Sequence, residues 1–330
     1  MARNRTTSSS RPVLKGRASL LRTTRMLRRR TSYSPGAAPG AARAPAPETG
    51  RGVGSAPPGL RDFLTGETLD KVTEIADEAG QLLLSYWRSR SLSVERKGPA
   101  DLVTEADLAS ERLLSDRLTA AFPHIPVVAE ETQRDAVSGA LHWYVDPLDG
   151  TTNFTHGHFV FAVSIGLAYR GEPVLGVVVA PALRTRWSGA QGVGAWRNES
   201  PCWASDTDDL GQALLATGFP YDRASSNDIN VAETGAMIPV VQGVRRCGAA
   251  SVDLALVADG TYDGYWEQKL SPWDLCAGAA LVLAAGGRVT DYTGQEAELD
   301  EGRAIATNGR IHDALAARVR EARALVGLNG

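Results

Sequence analysis

Residues 142–154, HWYVDPLDGTTNF, decide how the rest of the chain is read. Residues 142–145 have the β-branched and aromatic content of a buried strand. Pro147 lacks the N–H that a strand interior needs, so the strand is expected to give out at Asp146. Asp149 follows one turn-length later. Two carboxylates three residues apart at a kinked strand end can face one point, where their repulsion calls for cations. Gly150 lets backbone approach a ligand closely, and the N–H groups of Thr151 and Thr152, opening a turn or helix, suit an anion beside those cations. An isolated Asp-Gly pair is ordinarily a surface turn. The whole octet DPLDGTTN behind a strand reads instead as a metal and phosphate site.

With 330 residues, 43 % of them hydrophobic, the chain can bury a sizeable core. No run approaches the roughly 18 to 20 uncharged apolar residues of a bilayer span. The nearest, residues 275–287, reads as a core helix, so a soluble protein without a membrane partner is expected. Cys202, Cys247 and Cys276 are widely spaced and lack CxxC patterning, which fits neither a disulfide framework nor a zinc site and suits a reducing cytoplasm.

The net charge of −3 conceals a split. In residues 1–60, eleven Arg and one Lys face a single acid, Glu48, a net +11 that leaves −14 for the remainder. The first part is rich in Arg, Ser, Pro, Gly and Ala and poor in large apolar residues. It is expected to be a disordered basic tail over residues 1–62, preceding a catalytic domain over 63–330. Within that domain a metal-site half spans about 63–200 and a substrate half about 201–330. The tail could be a targeting peptide, a nucleic-acid or anionic-membrane arm, or a dispensable extension.

Beyond the tail, Leu69, Val72, Ile75, Ala76, Ala79, Leu82, Leu83 and Tyr86 recur at helical spacing, which predicts an amphipathic helix over 68–88. In KGPADLVTEADLASERLL, Thr104 is placed to cap a helix running through Leu118, with Asp107 in its dipole-favoured first turn. Residues 125–129 read as a short buried strand ending in Glu130 and Glu131, of which Glu130 is taken to point inward. Residues 160–197 read as an antiparallel meander. Strands are expected at 213–218, 262–267, 288–292 and 304–307. Helices are expected at 229–241, from Gly248 to Ala258, from Pro272 onward with Asp274 in its first turn, and at 310–326.

The pieces KGPADLVTEAD, VVAEET, WYVDPLDGTTNF, GFPYD and WEQKLSPWDLCAG, in this order and at these intervals, resemble the inositol monophosphatase family from about Lys97 to Asn308. The resemblance implies an α+β protein, a layered αβαβα sandwich of the sugar-phosphatase type. It implies a lithium-sensitive phosphomonoesterase using two or three Mg²⁺ ions, and a homodimer. Carried over position by position, Glu130, Asp146, Asp149 and Asp274 are side-chain metal ligands and the carbonyl of Leu148 is a fifth; hard oxygens suit Mg²⁺ rather than zinc. Thr151, with the acid at Asp107, orients and deprotonates the attacking water, with Glu130 beside it. Gly150 and Thr151 amides hold the phosphate, and Ala250 and Glu267 match positions that touch polyol hydroxyls, with Asp149 and Asp274 also lining the substrate.

Lys97 resembles a lysine near the metals, although its loop to Asp101 is one residue shorter than in some relatives. The implied substrate is a small phosphorylated polyol or amino alcohol, myo-inositol 1-phosphate first and histidinol phosphate second. A nucleic-acid or transcription-machinery binding factor, using the basic tail, is the alternative of another class.

Overall fold

The computed structural model describes residues 58–88, 93–96, 102–132 and 140–328. Its first element, α1 (Pro58–Phe63), lies partly inside the stretch read as tail, and Leu60 and Leu64 are each only 5 % exposed. Leu60 is thus buried although it falls inside the stretch read as tail, while Leu64 lies just beyond it. Helix α2 (Gly66–Tyr86) starts where the Thr65 hydroxyl accepts the Thr68 N–H, and it buries the apolar face that the spacing predicts. A hairpin of β1 (Val94–Arg96) and β2 (Leu102–Thr104) leads into α3 (Glu105–Ala121).

A seven-stranded sheet follows in the order β3 (Val127–Ala129), β4 (Leu141–Asp149), β5 (Ala162–Tyr169), β6 (Glu172–Ala180), β7 (Thr185–Ala190), β8 (Gly194–Arg197) and β9 (Ser200–Pro201). The short α4 (Thr151–Thr155) stands between β4 and β5. The β3–β4 pair is parallel and the rest of the sheet is the antiparallel meander read from the sequence. Pro147 does not end β4 at Asp146: the strand continues to Asp149 with its register against β5 shifted between those two acids. Such an irregularity is where a residue without an N–H is tolerated.

The second half adds β10 (Leu214–Thr217), α5 (Val231–Met237), β11 (Gly243–Arg245), α6 (Ala250–Ala258), β12 (Gly264–Glu267), α7 (Pro272–Ala284), β13 (Arg288–Thr290), β14 (Ala304–Thr307) and α8 (His312–Leu325). Five strands form a mixed sheet in the order β11-β10-β12-β14-β13. Helix α5 is shorter than expected and stops just ahead of Pro239: Ile238 still has helical dihedrals (φ −47°, ψ −44°), but Pro239 has no N–H with which to continue the helical hydrogen bonds.

Three apolar clusters stack these elements. The first joins α2 and α3 to the large residues of β5 and β6, among them Val163, Ile165, Leu175 and Val177. The second joins the opposite face of that sheet to α6, α7 and one face of the five-stranded sheet. The third packs the other face of the five-stranded sheet on α5 and α8. The layers are thus αβαβα, as the resemblance implied. Strand β5 is buried on both faces, with large side chains toward α2 and small ones toward α7. The small face admits α7 to backbone distance: a Cβ at Gly166 on β5 would stand 2.6 Å from the Ala277 N, and one at Gly176 on the neighbouring β6 would stand 2.1 Å from the Ala277 carbonyl oxygen. That close approach brings the first turn of α7, and Asp274 with it, to the end of β4. Among the described residues no helix is long and apolar enough to cross a membrane, and Cys202, Cys247 and Cys276 are all free thiols.

Candidate metal and phosphate site

Three elements deliver four aspartates to one place, and each of the four is fixed through one oxygen by a backbone N–H. At the start of α3, Asp107 Oδ2 accepts the N–H (2.8 Å) and hydroxyl (2.6 Å) of Thr104, closing a capping box. At the start of α7, Asp274 Oδ2 accepts the Ser271 N–H at 2.7 Å in a second capping box. On β4, Asp146 Oδ1 accepts the Leu148 N–H at 2.9 Å, and Asp149 Oδ2 accepts the N–H (2.8 Å) and hydroxyl (2.5 Å) of Ser251 at the start of α6. Local helix capping and site geometry are therefore the same contacts. The cap fixes one oxygen and leaves the other for the site.

Cross-strand bonds set the distances between these elements. Asp146 pairs with Ser164 on β5, whose hydroxyl donates to the carbonyl of Trp273, the residue before Asp274. Ser110 on α3 donates to the Pro147 carbonyl at 2.9 Å. Thr151 Oγ1 lies 3.1 Å from Asp107 Oδ1 and 3.0 Å from the Leu148 carbonyl oxygen.

The electrostatics are those of crowded acids. Burial pushes Asp107 up to about 6, against its bonds from Thr104, with the Glu130 charge adding to the rise. Burial, then Glu130, Asp149 and Asp274, hold Asp146 well above the usual carboxylate range. Asp149 is pushed by burial to about 6 against the bonds from Ser251, and Asp274 is raised by burial, Asp149 and Glu130. Among the described residues, Asp107, Asp146, Asp149 and Asp274 make no ion pair. Mutually repelling buried carboxylates without a basic partner fit divalent cations, and their all-oxygen chemistry fits Mg²⁺. Among the described residues no three His, Cys, Asp or Glu side chains yet close on a single ion.

Gly150, at φ 87°, turns the chain from β4 into α4, whose first turn no side chain caps. A Cβ there would meet the Val160 carbonyl oxygen at 3.1 Å, so glycine is required by both conformation and space. Ala250 opens α6 and its N–H bonds to Asp149, while Glu267 ends β12, 8 % exposed and bonded by the Tyr265 hydroxyl. Burial pushes Glu267 up to about 7, with the Tyr265 bond and the Arg246 charge opposing. Asp107, Glu130, Asp146, Leu148, Asp149, Thr151 and Asp274 are thus brought together, with Ala250 and Glu267 on the side of the second sheet. Lys97 lies outside the described residues.

Sequence reading missed Ser251 and Asn153. Asn153 Nδ2 donates to the carbonyls of Val160 (2.7 Å) and Cys247 (2.8 Å), fastening α4 to the chain ahead of α6. Only its place in the octet hinted at that role; Ser251 gave no signal beyond its position in a helix first turn.

The chain matches the model of the inositol monophosphatase family over residues 66–324. An inositol-1-monophosphatase of Synechocystis is 41 % identical over 249 residues, covering 75 % of this chain and 86 % of that relative. A Pseudomonas aeruginosa protein named Nus factor SuhB is 40 % identical over 246 residues, covering 73 % of this chain and 91 % of that relative. The solved inositol monophosphatase of Anabaena superposes with a TM-score of 0.71 at 41 % identity, over 80 % of this chain and 97 % of that one. The shared layers, the matched span and these identities establish that the chain belongs to the inositol monophosphatase family of phosphatases.

Proposed function

We propose that the protein hydrolyses the phosphate monoester of a small cyclic polyol, myo-inositol 1-phosphate first, to the free polyol and inorganic phosphate. The observation that carries this reading is the set of buried acids at the ends of β4, α3 and α7, unpaired with any base among the described residues. Glu130, Asp146, Asp149, Asp274 and the Leu148 carbonyl would hold two or three Mg²⁺ ions. When bound, these supply the positive charge that offsets a phosphate dianion, acidifies water and neutralises the leaving alkoxide.

The protein's own groups do the rest by position. Asp107 Oδ1 accepts a proton through the Thr151 hydroxyl, so a water held there becomes the nucleophile; its oxygen bonds to phosphorus in line as the ester P–O bond breaks. The N–H groups of Gly150 and Thr151 receive the phosphoryl oxygens. Glu267 and the start of α6 at Ala250 face the leaving-group hydroxyls. No covalent enzyme intermediate is required.

The same family name and a SuhB-named relative at similar identity leave the substrate to experiment. Phosphate release from myo-inositol 1-phosphate and from histidinol phosphate, side by side with Mg²⁺ and with EDTA, decides it. Preference for the inositol ester, abolished by EDTA, supports the reading. Preference for histidinol phosphate reassigns the substrate, and no release from either favours a binding factor. The same reading carries inhibition by Li⁺, a homodimer and a cytoplasmic location as further expectations.

A further inference from the structure

Segment 218–230 joins β10 to α5 and is clamped at three points. Asn230 Nδ2 donates to the Gly218 carbonyl at 2.9 Å and to Thr217 Oγ1 at 2.8 Å. Lys269 Nζ holds Asp222 Oδ2 at 2.6 Å, and the buried Arg323 forks onto both carboxylate oxygens of Asp228 at 2.9 Å. Two of these clamps are set in the wall of the site. Lys269 lies between Glu267 and Asp274, and a Cβ on Gly218 would come within 2.0 Å of the Glu267 carboxylate.

Tyr221 stands between the first two clamps, in the GFPYD motif for which neither metal binding nor proton transfer has a use. It is 59 % exposed and makes no hydrogen bond among the described residues. Desolvation by the surrounding protein, then the charges of Asp274, Asp149, Glu130 and Asp146, nevertheless push its phenol pKa up. The ring thus projects into solvent from a segment that is held against the wall of the site on one side by Gly218, packed on Glu267, and on the other by Asp222, bonded to Lys269.

Resting on the cyclic-polyol reading above, we infer that Tyr221 is a specificity-determining residue whose ring packs against the C–H face of the leaving group while Glu267 meets its hydroxyls. An aromatic face gives a large rigid apolar contact at little conformational cost. A cyclic polyol offers a matching flat C–H face and a short linear polyol does not. The clamps hold the ring in place without using any of its own polar groups.

The test is phosphate release by the full chain with Mg²⁺, from myo-inositol 1-phosphate and from glycerol 2-phosphate, in wild type, Tyr221→Phe and Tyr221→Ala. The ratio of kcat/KM for the ring ester over the linear one falls on the order of tenfold in Tyr221→Ala. The loss comes through KM of the ring ester, and Tyr221→Phe keeps the wild-type ratio. A ratio unchanged in Tyr221→Ala, or an equal kcat loss on both esters, overturns the assignment while leaving the functional reading standing. Wild type inactive on both esters overturns the functional reading and this one together. Because the ring is exposed, melting temperatures of both variants should match wild type, which separates selectivity from folding.

Discussion

The Thr151 hydroxyl stands 3.1 Å from Asp107 Oδ1, while Asp107 Oδ2 is held by Thr104 three residues earlier. One carboxylate thus terminates a helix with one oxygen and orders a hydroxyl with the other. Groups that act as one relay lose function together. Thr151→Ala and Asp107→Asn should each lower kcat by about 10²- to 10⁴-fold, and the double variant should lose little more than the worse single one. Multiplicative losses measured in a double-mutant cycle would show two independent roles.

The neighbouring acids predict opposite effects on catalysis and stability. On the proposed metal set, Asp146→Asn or Asp274→Asn removes a ligand oxygen but relieves an acid-acid repulsion. Turnover should fall by orders of magnitude, while the melting temperature in EDTA stays at or above that of wild type and the Mg²⁺-induced rise shrinks. Unchanged turnover in both variants would remove them from the metal set.

Far from the site, His312 is 1 % exposed between the hydroxyls of Thr290 and Thr307, each at 2.9 Å. Burial pushes its pKa down to about 4, with Arg288 and Arg320 adding to the fall and Asp313 opposing it. Between that value and the unfolded value of about 6.5 the unfolded chain binds more protons, so its contribution is full above pH 6.5 and lost as pH falls toward 4. Denaturation of wild type against His312→Gln across pH 4 to 7 should show a stability difference that shifts by up to about 3 kcal/mol over that window. A pH-independent difference would mean that His312 does not carry the effect.

The position of α1 sharpens what can be removed from the N-terminus. We propose that truncation of residues 1–57 leaves turnover and melting temperature near wild type. Leu60→Ala, in contrast, should cost about 2 kcal/mol or more, because Leu60 joins the core cluster beneath α2. The net charge of +11 over residues 1–60 can steer an anionic substrate only within a Debye length of about 8 Å, so any truncation effect should vanish as salt rises. Loss of turnover at every ionic strength would place the segment in the catalytic unit.

Features set by near neighbours along the chain are legible in the sequence itself: the period of α2, the Thr104 cap of α3, the Pro272 start of α7 and the acids flanking Pro147. Features set by packing are not. Pro147 alone argues for a strand end, but the irregular pairing with β5 absorbs the missing N–H. Strand β11 is three residues long with no alternation to betray it, and α5 yields to Pro239. By itself Asp107 reads as a helix cap; the resemblance alone pairs it with Thr151, and the hydrogen bond that joins the two, 44 residues apart in the chain, is made by tertiary structure. The exposure of Tyr221, next to the Asp222 that Lys269 holds, likewise belongs to tertiary structure.

The central claim is that Glu130, Asp146, Asp149 and Asp274, with the Leu148 carbonyl, form one divalent-cation site. Anomalous diffraction from crystals soaked in Mn²⁺, an oxygen-seeking stand-in for Mg²⁺, locates the ions directly. The account predicts two or three peaks bounded by oxygens of these five residues, and loss of at least one peak in Asp146→Asn. Peaks elsewhere, or none at saturating Mn²⁺, would contradict it.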